Sequence, residues 1–518
     1  ERHRWAAILF LLSTVFIFYQ SLKIAAIVGV TFFAHADRGE IYVKLEYPTR
    51  LNIEETLERV RELEQRLEVL PELRHQFTTI GKVEGVIGRS SEGVFLAQIL
   101  LKFSEKTERS IGIGELLDKT RALLKDIPDV IVSVSQPSGI GGQSTPIELE
   151  IAGDEFEELD RLALRIEDFA NRLDGYKDLD TTVRVGKPEI RVRPNRAILA
   201  DLGIPATALG MMMRSNIEGL DAGTFKEGGR NYDIVVKMEE QYGKDQVKEF
   251  MLPAMPGRPM LLSNIGRIEE TEAPVQITRK NKQRISKIFA DLDLGTPLGT
   301  AVDQLSQKID EDAQLPPGYS YAFVGEYEIM QESIAEFIEA AVIAIVLVFL
   351  VLAAILESFK QPFIILITLP LGIIGVLVAL LVGGESISMF VMLGSVMLIG
   401  IVVNNAILIM DRVNQLIQLG VHRHEAMIRA TAEEFRPIVM ITLAAILGMW
   451  PLATGTGLGS EMRTALGVAS IGGIALSALL TLLVIPIFYD LFTRRDHSAH
   501  EPLPPEAETP LPEGNGEI

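Results

Sequence analysis

The chain of 518 residues contains no cysteine. Disulfides and thiolate metal centres are therefore excluded, and any water-soluble region must hold together by packing alone. Tryptophan occurs twice and aromatics make up 7% of the residues. Cationic residues are outnumbered, with 49 Lys and Arg against 69 Asp and Glu and a formal net charge of −20, which argues against nucleic acid as a partner. No Gly-rich loop ends in GK[ST], so ATP is not the expected energy source, and no nucleophile stands beside a base in a catalytic motif. The GG of FKEGGRNY, residues 225–232, is a turn and not a nucleotide cradle.

What is present is apolar sequence, unevenly spread. Hydrophobic residues are 48% of the total. They run almost unbroken from Trp5 to Tyr19, mix with charge through the middle of the chain, and return in long runs from Ala340 onward. Charged and Pro/Gly-rich breaks divide these runs into helices near 5–22, 338–356, 362–382, 387–412, 436–454 and 463–491, each close to or above the ~20 residues that cross a bilayer. Six spans return both ends to one side. The basic clusters ERHR, DRVNQLIQLGVHRHEAMIRA and FTRRDH place that side in the cytoplasm and the large insert in the periplasm. The chain opens with ERHRW and has no small-residue cleavage site, so the first apolar run is expected to be a span and not a signal peptide, in a sequence that begins in mid-protein. The Pro- and Glu-rich end, 496–518, is expected to be a disordered tail.

The insert repeats a pattern. GEIYVKLEYP alternates like a strand, LNIEETLERVRELEQRLEVL has helical spacing, RHQFTTIG and VFLAQILLKF read as strands, IGELLDKTRALLKDI as a helix and VIVSVSQ as a strand. This is the split β-α-β-β-α-β order. It starts again with PIELEIAG, the helix EFEELDRLALRIEDFANRL and a strand pair TTVRVG with EIRVRP, and closes only with RISKIFADLDL, GTAVDQLSQKIDED and YSYAFVGE. The stretch from about 196 to 280 reads as a small domain inserted into the second unit.

The segments GTFKEGGRNYDIVVKM, PMLLSNIGRIEETEAPVQITRKNKQR, VLVFLVLAAILESFKQPFIILITLPLGIIG, MLIGIVVNNAILIMDRVNQL and RPIVMITLAAILGMWPLATGTGLGSE resemble, in order, the C-terminal half of resistance-nodulation-division (RND) efflux transporters of the hydrophobe/amphiphile type. The resemblance implies a polytopic α-helical membrane domain with a large α+β periplasmic insert, comprising two split βαβ ferredoxin-like porter subdomains and a docking insertion. It divides the chain into a first span with lead-in at 1–36, a porter subdomain at 37–145, a second at 146–195 and 281–333, a docking-like insertion at 196–280, five spans at 334–495 and the tail. It further implies a trimeric inner-membrane secondary transporter, not an enzyme, driven by the proton gradient and needing no cofactor. Its partners would be a homologous N-terminal half, a periplasmic adaptor, an outer-membrane duct and the lipid bilayer.

Candidate residues follow. Asn404 and Asn405 lie mid-membrane, where unpaired amides are costly. They are either interhelical glue or members of the proton relay. In the family a lysine answers paired acids of the other half; position 404 matches that lysine but is Asn here, so it cannot titrate. Thr442 is either a relay hydroxyl or bonded back to its own helix. Asp411 shares a helical face with Asn404 but lies near the membrane boundary, as an interfacial charge more than a relay group. Arg436 is expected to anchor a helix start and Glu357 to form a corner between spans. No acid of suitable acidity sits mid-membrane, so the motor would be completed by the other half; a non-transporting assembly subunit is the alternative. For the substrate pocket, Phe77 fits a family position, while Phe95 and Phe103 are pocket or core residues. Metal export is disfavoured by the ligand types available: HRHE at 422–425 reads as a solvated loop, and Met211, Met212 and Met213 read as packing residues with some capacity for Cu(I) or Ag(I).

Overall fold

The computed structural model describes the chain apart from residues 1–3, 34–35, 85–89, 138–144, 185, 238–246, 255–257, 274–276 and 494–518. The expected tail, 496–518, falls outside the described residues.

After α1 (Arg4–Val28) the first sheet unit begins with β1 (Glu40–Glu46), whose alternation puts Ile41, Val43 and Leu45 fully inside and Tyr42, Lys44 and Glu46 on the opposite face. α2 (Ile53–Leu67) is set by a capping box: the Asn52 side chain accepts from the Glu55 N–H at 2.8 Å and the Asn52 N–H donates to the Glu55 carboxylate at 3.1 Å. Its Val60, Leu63 and Leu67 face the sheet core. β2 (Leu73–Glu84), β3 (Ser90–Phe103), α3 (Ile113–Leu124) and β4 (Ile131–Ser135) complete an antiparallel sheet in the order β2-β3-β1-β4.

The second unit opens with β5 (Ile147–Gly153), α4 (Phe156–Ala170) and β6 (Tyr176–Thr181). The chain then leaves through β7 (Lys187–Pro194) into α5 (Arg196–Asp201), α6 (Ala206–Ile217), the hairpin β8 (Leu220–Glu227) and β9 (Arg230–Val236), β10 (Met251–Ala254), β11 (Arg258–Leu261), the single turn α7 (Leu262–Ile265) and β12 (Gly266–Ala273). It returns by β13 (Thr278–Lys280), β14 (Gln283–Leu292), α8 (Leu298–Lys308) and β15 (Ser320–Val324). The strand pair expected of TTVRVG with EIRVRP does not form. β14 pairs with both β5 and β6, so EIRVRP, as β7, is left to pair antiparallel with β12. That ribbon is the neck of the insertion. In the five-stranded second sheet β14 pairs with β5 on one edge and with β13 and β6 on the other, and β15 pairs with β5, so β6-β14-β5-β15 repeats the order of the first with its third strand delivered late. Each unit has its own apolar core.

The membrane helices run longer than their apolar runs. α9 (Glu326–Ile355) starts well before the expected boundary, and α13 (Arg423–Ala453) carries the basic HRHEAMIRA stretch as continuous helix, so the expected solvated loop at 422–425 is a helix start instead. The expected third span is two pieces, α10 (Lys360–Leu366) and α11 (Thr368–Gly383). Pro370 explains the break: its ring excludes the carbonyl four residues earlier, that of Leu366, from the helical ladder. α12 (Met389–Gln418) and α14 (Ser460–Thr493) complete the set, and among the described residues six helical segments, α10 and α11 counted as one, are long and apolar enough to cross a membrane. Glu357, between α9 and α10, adopts φ +46°, a left-handed corner. The bundle closes on small residues: a Cβ built on Gly375 of α11 would lie 2.4 Å from the Gly472 carbonyl oxygen of α14.

Candidate functional site

The two asparagines part company. α12 turns its apolar residues Leu398, Val402 and Ile409 inward, and Asn405 with them at 4% exposure. Asn404 is exposed, on a stripe with Leu393, Met397, Gly400 and Asp411 whose spacings of 4, 3, 4 and 7 residues fall on one helical face. Among the described residues neither amide has a hydrogen-bond partner.

The inward side of α12 meets α14. A Cβ on Gly394 would lie 2.6 Å from Leu466 Cδ1 and 3.5 Å from Ser470 Oγ, and one on Gly473 would lie 2.5 Å from Leu398 Cδ1. The two helices therefore run in the same direction, and eleven residues below Gly394 and Ser470, about 16 Å at the helical rise, stand Asn405 and Thr481. α13 runs the other way, with Ala453 against Gly467 and Ala445 and Ile446 packed in the cluster of Ile474; Thr442 reaches the same level. The helix registers thus place Asn405, Thr442 and Thr481 at one depth. On α14, Ser470, Ser477 and Thr481 repeat at 7 and 4 residues, a buried polar line on one face.

Three hydroxyls on this seam are unlike others in the bundle. Ser395, Thr431 and Thr464 each donate to the carbonyl four residues back, and Ser477 to that of Ile474. Among the described residues Thr442, Ser470 and Thr481 have buried oxygens with no partner, at 9%, 0% and 0% exposure. Thr442 therefore does not take the back-bonded alternative. Buried polar atoms are normally satisfied, so these oxygens are available to a further hydrogen-bonding group.

At the periplasmic mouth of the seam, Ser388 Oγ and one Glu461 carboxylate oxygen are likewise buried without partners among the described residues. Lys106, from the first sheet unit, meets Glu461 at 2.5 Å. Burial, reinforced by the Glu461 charge, pushes the Glu385 carboxyl above its usual range. At the other end Asp411 is exposed and accepts from Gln415 at 2.9 Å, while Arg412 pairs with Glu433 at 2.6 Å. Asp411 is thus set in an exposed charge cluster, apart from the buried line, and Arg436 is exposed.

The aromatic candidates separate as well. Phe95 and Phe103, at 9% and 2% exposure, belong to the first core: β3 turns them to the side that packs on α2 and α3, so neither lines a pocket here. Phe77 on β2 is 67% exposed. In α6, Met212 and Met213 pack on the core of the insertion while Met211 is exposed. The residues that sequence reasoning missed are Ser470, Ser477 and Thr481. Their spacing was visible in SIGGIALSALLT, but only the packing partners of α14 separate such a line from ordinary small-residue sequence.

A family profile described as the AcrB/AcrD/AcrF family matches residues 2–493. The cobalt-zinc-cadmium resistance protein CzcA of Cupriavidus metallidurans is 26% identical over 509 residues, covering 95% of this chain and 48% of that protein. The multidrug resistance protein MdtC of Salmonella arizonae is 26% identical over 422 residues, covering 80% and 41%. An X-ray crystal structure of a heavy metal efflux pump superposes with a TM-score of 0.80 at 23% identity, over 95% of this chain and 51% of that one, a likeness of fold. The chain spans about half the length of the curated relatives it matches.

Proposed function

From the membership of this chain in the AcrB/AcrD/AcrF family of inner-membrane RND transporters, we propose that it is the C-terminal half of an export pump driven by the proton gradient, completed by a homologous six-span half on the same or a separate chain. The observation that carries this reading is the exposed stripe of α12. An amide facing hydrocarbon costs several kcal/mol, and Gly400, with nothing within 4 Å of its built Cβ, leaves room for a close neighbour. A face of this kind fits a second bundle better than lipid. The sheet units, with their matching strand orders, act as the two split porter subdomains, and the neck at β7 and β12 carries the docking insertion that meets adaptor and duct in a trimer.

In this arrangement the protein's own residues are a passive side of the relay. The unpartnered hydroxyls of Thr442, Ser470 and Thr481 hold water along the α12–α14 seam, Asn405 bonds to it, and Asn404 presents its amide to carboxylates of the other half, donating more strongly to the ionised form. No titration of residue 404 is involved. The substrate class that fits best is an apolar or amphiphilic organic compound, supported by exposed Phe77. The uncharged Asn at 404 favours one competing reading, a non-transporting assembly subunit.

Cells lacking the protein, and cells restored with it, are challenged with an amphiphilic dye, a bile-salt detergent, and cobalt, zinc and cadmium salts, with and without an uncoupler. Uncoupler-sensitive dye efflux supports the proposal. Resistance confined to metal salts overturns the substrate class, and intact resistance to every compound after deletion favours the assembly subunit.

A further inference from the structure

The two sheet units are joined through charge. Their apolar cores are separate, and between them lie two ionic groups. In one, Arg184 bonds Glu46 of the first unit at 3.0 Å and Asp180 of its own at 2.8 Å, while Lys44 stands 3.7 and 3.6 Å from the same two carboxylates. These four charges balance. In the other, Arg121 of α3 crosses to the second unit, with Nε 2.8 Å from Asp178 and Nη2 3.1 Å from Asp291, and also donates to the Val134 carbonyl at 2.8 Å. The Val134 N–H in turn donates to Asp178 at 3.2 Å. Asp178 is held at φ +46°, a conformation that persists when surrounding contacts over-determine it.

The second group does not balance. Asp118 also faces Arg121, at 3.7 Å, and Lys177 faces Asp293 at 3.6 Å. Two cations thus serve four carboxylates, contributed by α3, β6 and the end of β14. Asp291 is the most enclosed of the four.

We propose that Asp291, Arg121 and Asp178 form a proton-operated latch between the two sheet units: a proton taken up at Asp291 seals the interface, and its loss loosens it. With Asp291 neutral, Arg121 keeps Asp178 and the Val134 carbonyl, so nothing in the group is left unpaired. With Asp291 ionised, a second carboxylate is enclosed without a cation of its own, and separation of the units lets water reach it. The direction agrees with the acidity of the group. Burial, against the pull of Arg121 and with help from Asp178 and Asp293, raises the Asp291 pKa to about 7, whereas an exposed carboxyl stays near its ordinary value. A group raised in this way favours the closed form at low pH, and that preference is lost as pH rises through about 7. The latch does not depend on what the pump carries or on the identity of its other half.

This chain holds no cysteine, so labels introduced into it stand on a cysteine-free half, and any cysteine of the other half is replaced by serine beforehand. Spin labels are attached at Glu58→Cys on α2 and Leu164→Cys on α4, both exposed, and their distance distribution is measured by pulsed electron resonance on the whole protein in nanodiscs at pH 5.5 and 8. The expected result is a short distance at pH 5.5 and, at pH 8, a longer component whose ratio to the short one grows about thirtyfold, the tenfold per pH unit that one proton delivers between pH 5.5 and about 7. D291N, permanently uncharged and of the same shape, keeps the short distance at both pH values, and D293N retains the pH response. A wild-type distribution that ignores pH, or a response that survives in D291N, overturns the proposal.

Discussion

Asn404 and Asn405 are adjacent in sequence and face opposite environments: Asn405 is buried against the α14 side of its helix, and Asn404 stands exposed on the outer stripe. A helix turns 100° per residue, so neighbouring polar groups serve different surfaces. The two substitutions are therefore expected to separate. Asn404→Leu lowers export at least tenfold while the amount of protein in the membrane stays near wild type, as checked by dye efflux beside immunoblotting. Asn405→Leu acts on folding within this half, and its protein level falls with its activity.

The unpartnered hydroxyls give a prediction with two signs. Replacing a buried hydroxyl that lacks a partner removes a desolvation cost of about 1–3 kcal/mol, so Thr481→Val raises thermal stability in detergent. If that oxygen holds a relay water, the same variant slows uncoupler-sensitive efflux. A gain in melting temperature with unchanged efflux would assign Thr481 to packing alone.

Close helix approach sets the third prediction. A Cβ on Gly472 meets Ala379 Cβ at 2.2 Å and the Gly375 carbonyl oxygen at 2.6 Å, and a backbone oxygen cannot swing aside. Gly472→Ala forces α11 and α14 apart at a cost of roughly 1–3 kcal/mol, read as earlier thermal aggregation. Gly448→Ala, whose Cβ meets nothing within 4 Å, serves as the control.

The balanced ionic group predicts acid sensitivity of the opposite sense to the latch. Burial alone would raise the Glu46 carboxyl, but Arg184 and Lys44 outweigh it and hold it below the usual range. A depressed carboxylate contributes stability above its ordinary pKa of about 4.5 and loses it as pH falls further. Thermal stability of the wild type should drop on acidification below about pH 4.5, and Glu46→Gln, weaker at neutral pH, should show a shallower drop.

Much of this was legible in the sequence because each signal was local. Alternation marked β1, helical spacing marked α2, and apolar length marked the spans. What escaped depended on residues distant in sequence. EIRVRP looked like the partner of TTVRVG until β14, arriving about a hundred residues later, took both strands of the second unit. The ends of α9 and α13 were misplaced because their amphipathic extensions carry charge where the apolar run stops, although the helical ladder does not. Phe95 and Phe77 are both aromatic residues on neighbouring strands, and only the side on which α2 and α3 pack decides which of them is core.

The central claim is that the outer stripe of α12 meets protein and not lipid. Met397 lies on that stripe and can be replaced by a single labelled cysteine without touching Asn404. Electron-resonance power saturation of Met397→Cys in the whole protein in native membrane, with Leu443→Cys on the exposed face of α13 for comparison, measures contact with oxygen dissolved in lipid. The account predicts an immobilised label at 397 that is shielded from oxygen. A mobile label at 397, as accessible to oxygen as a lipid-facing reference, would contradict it.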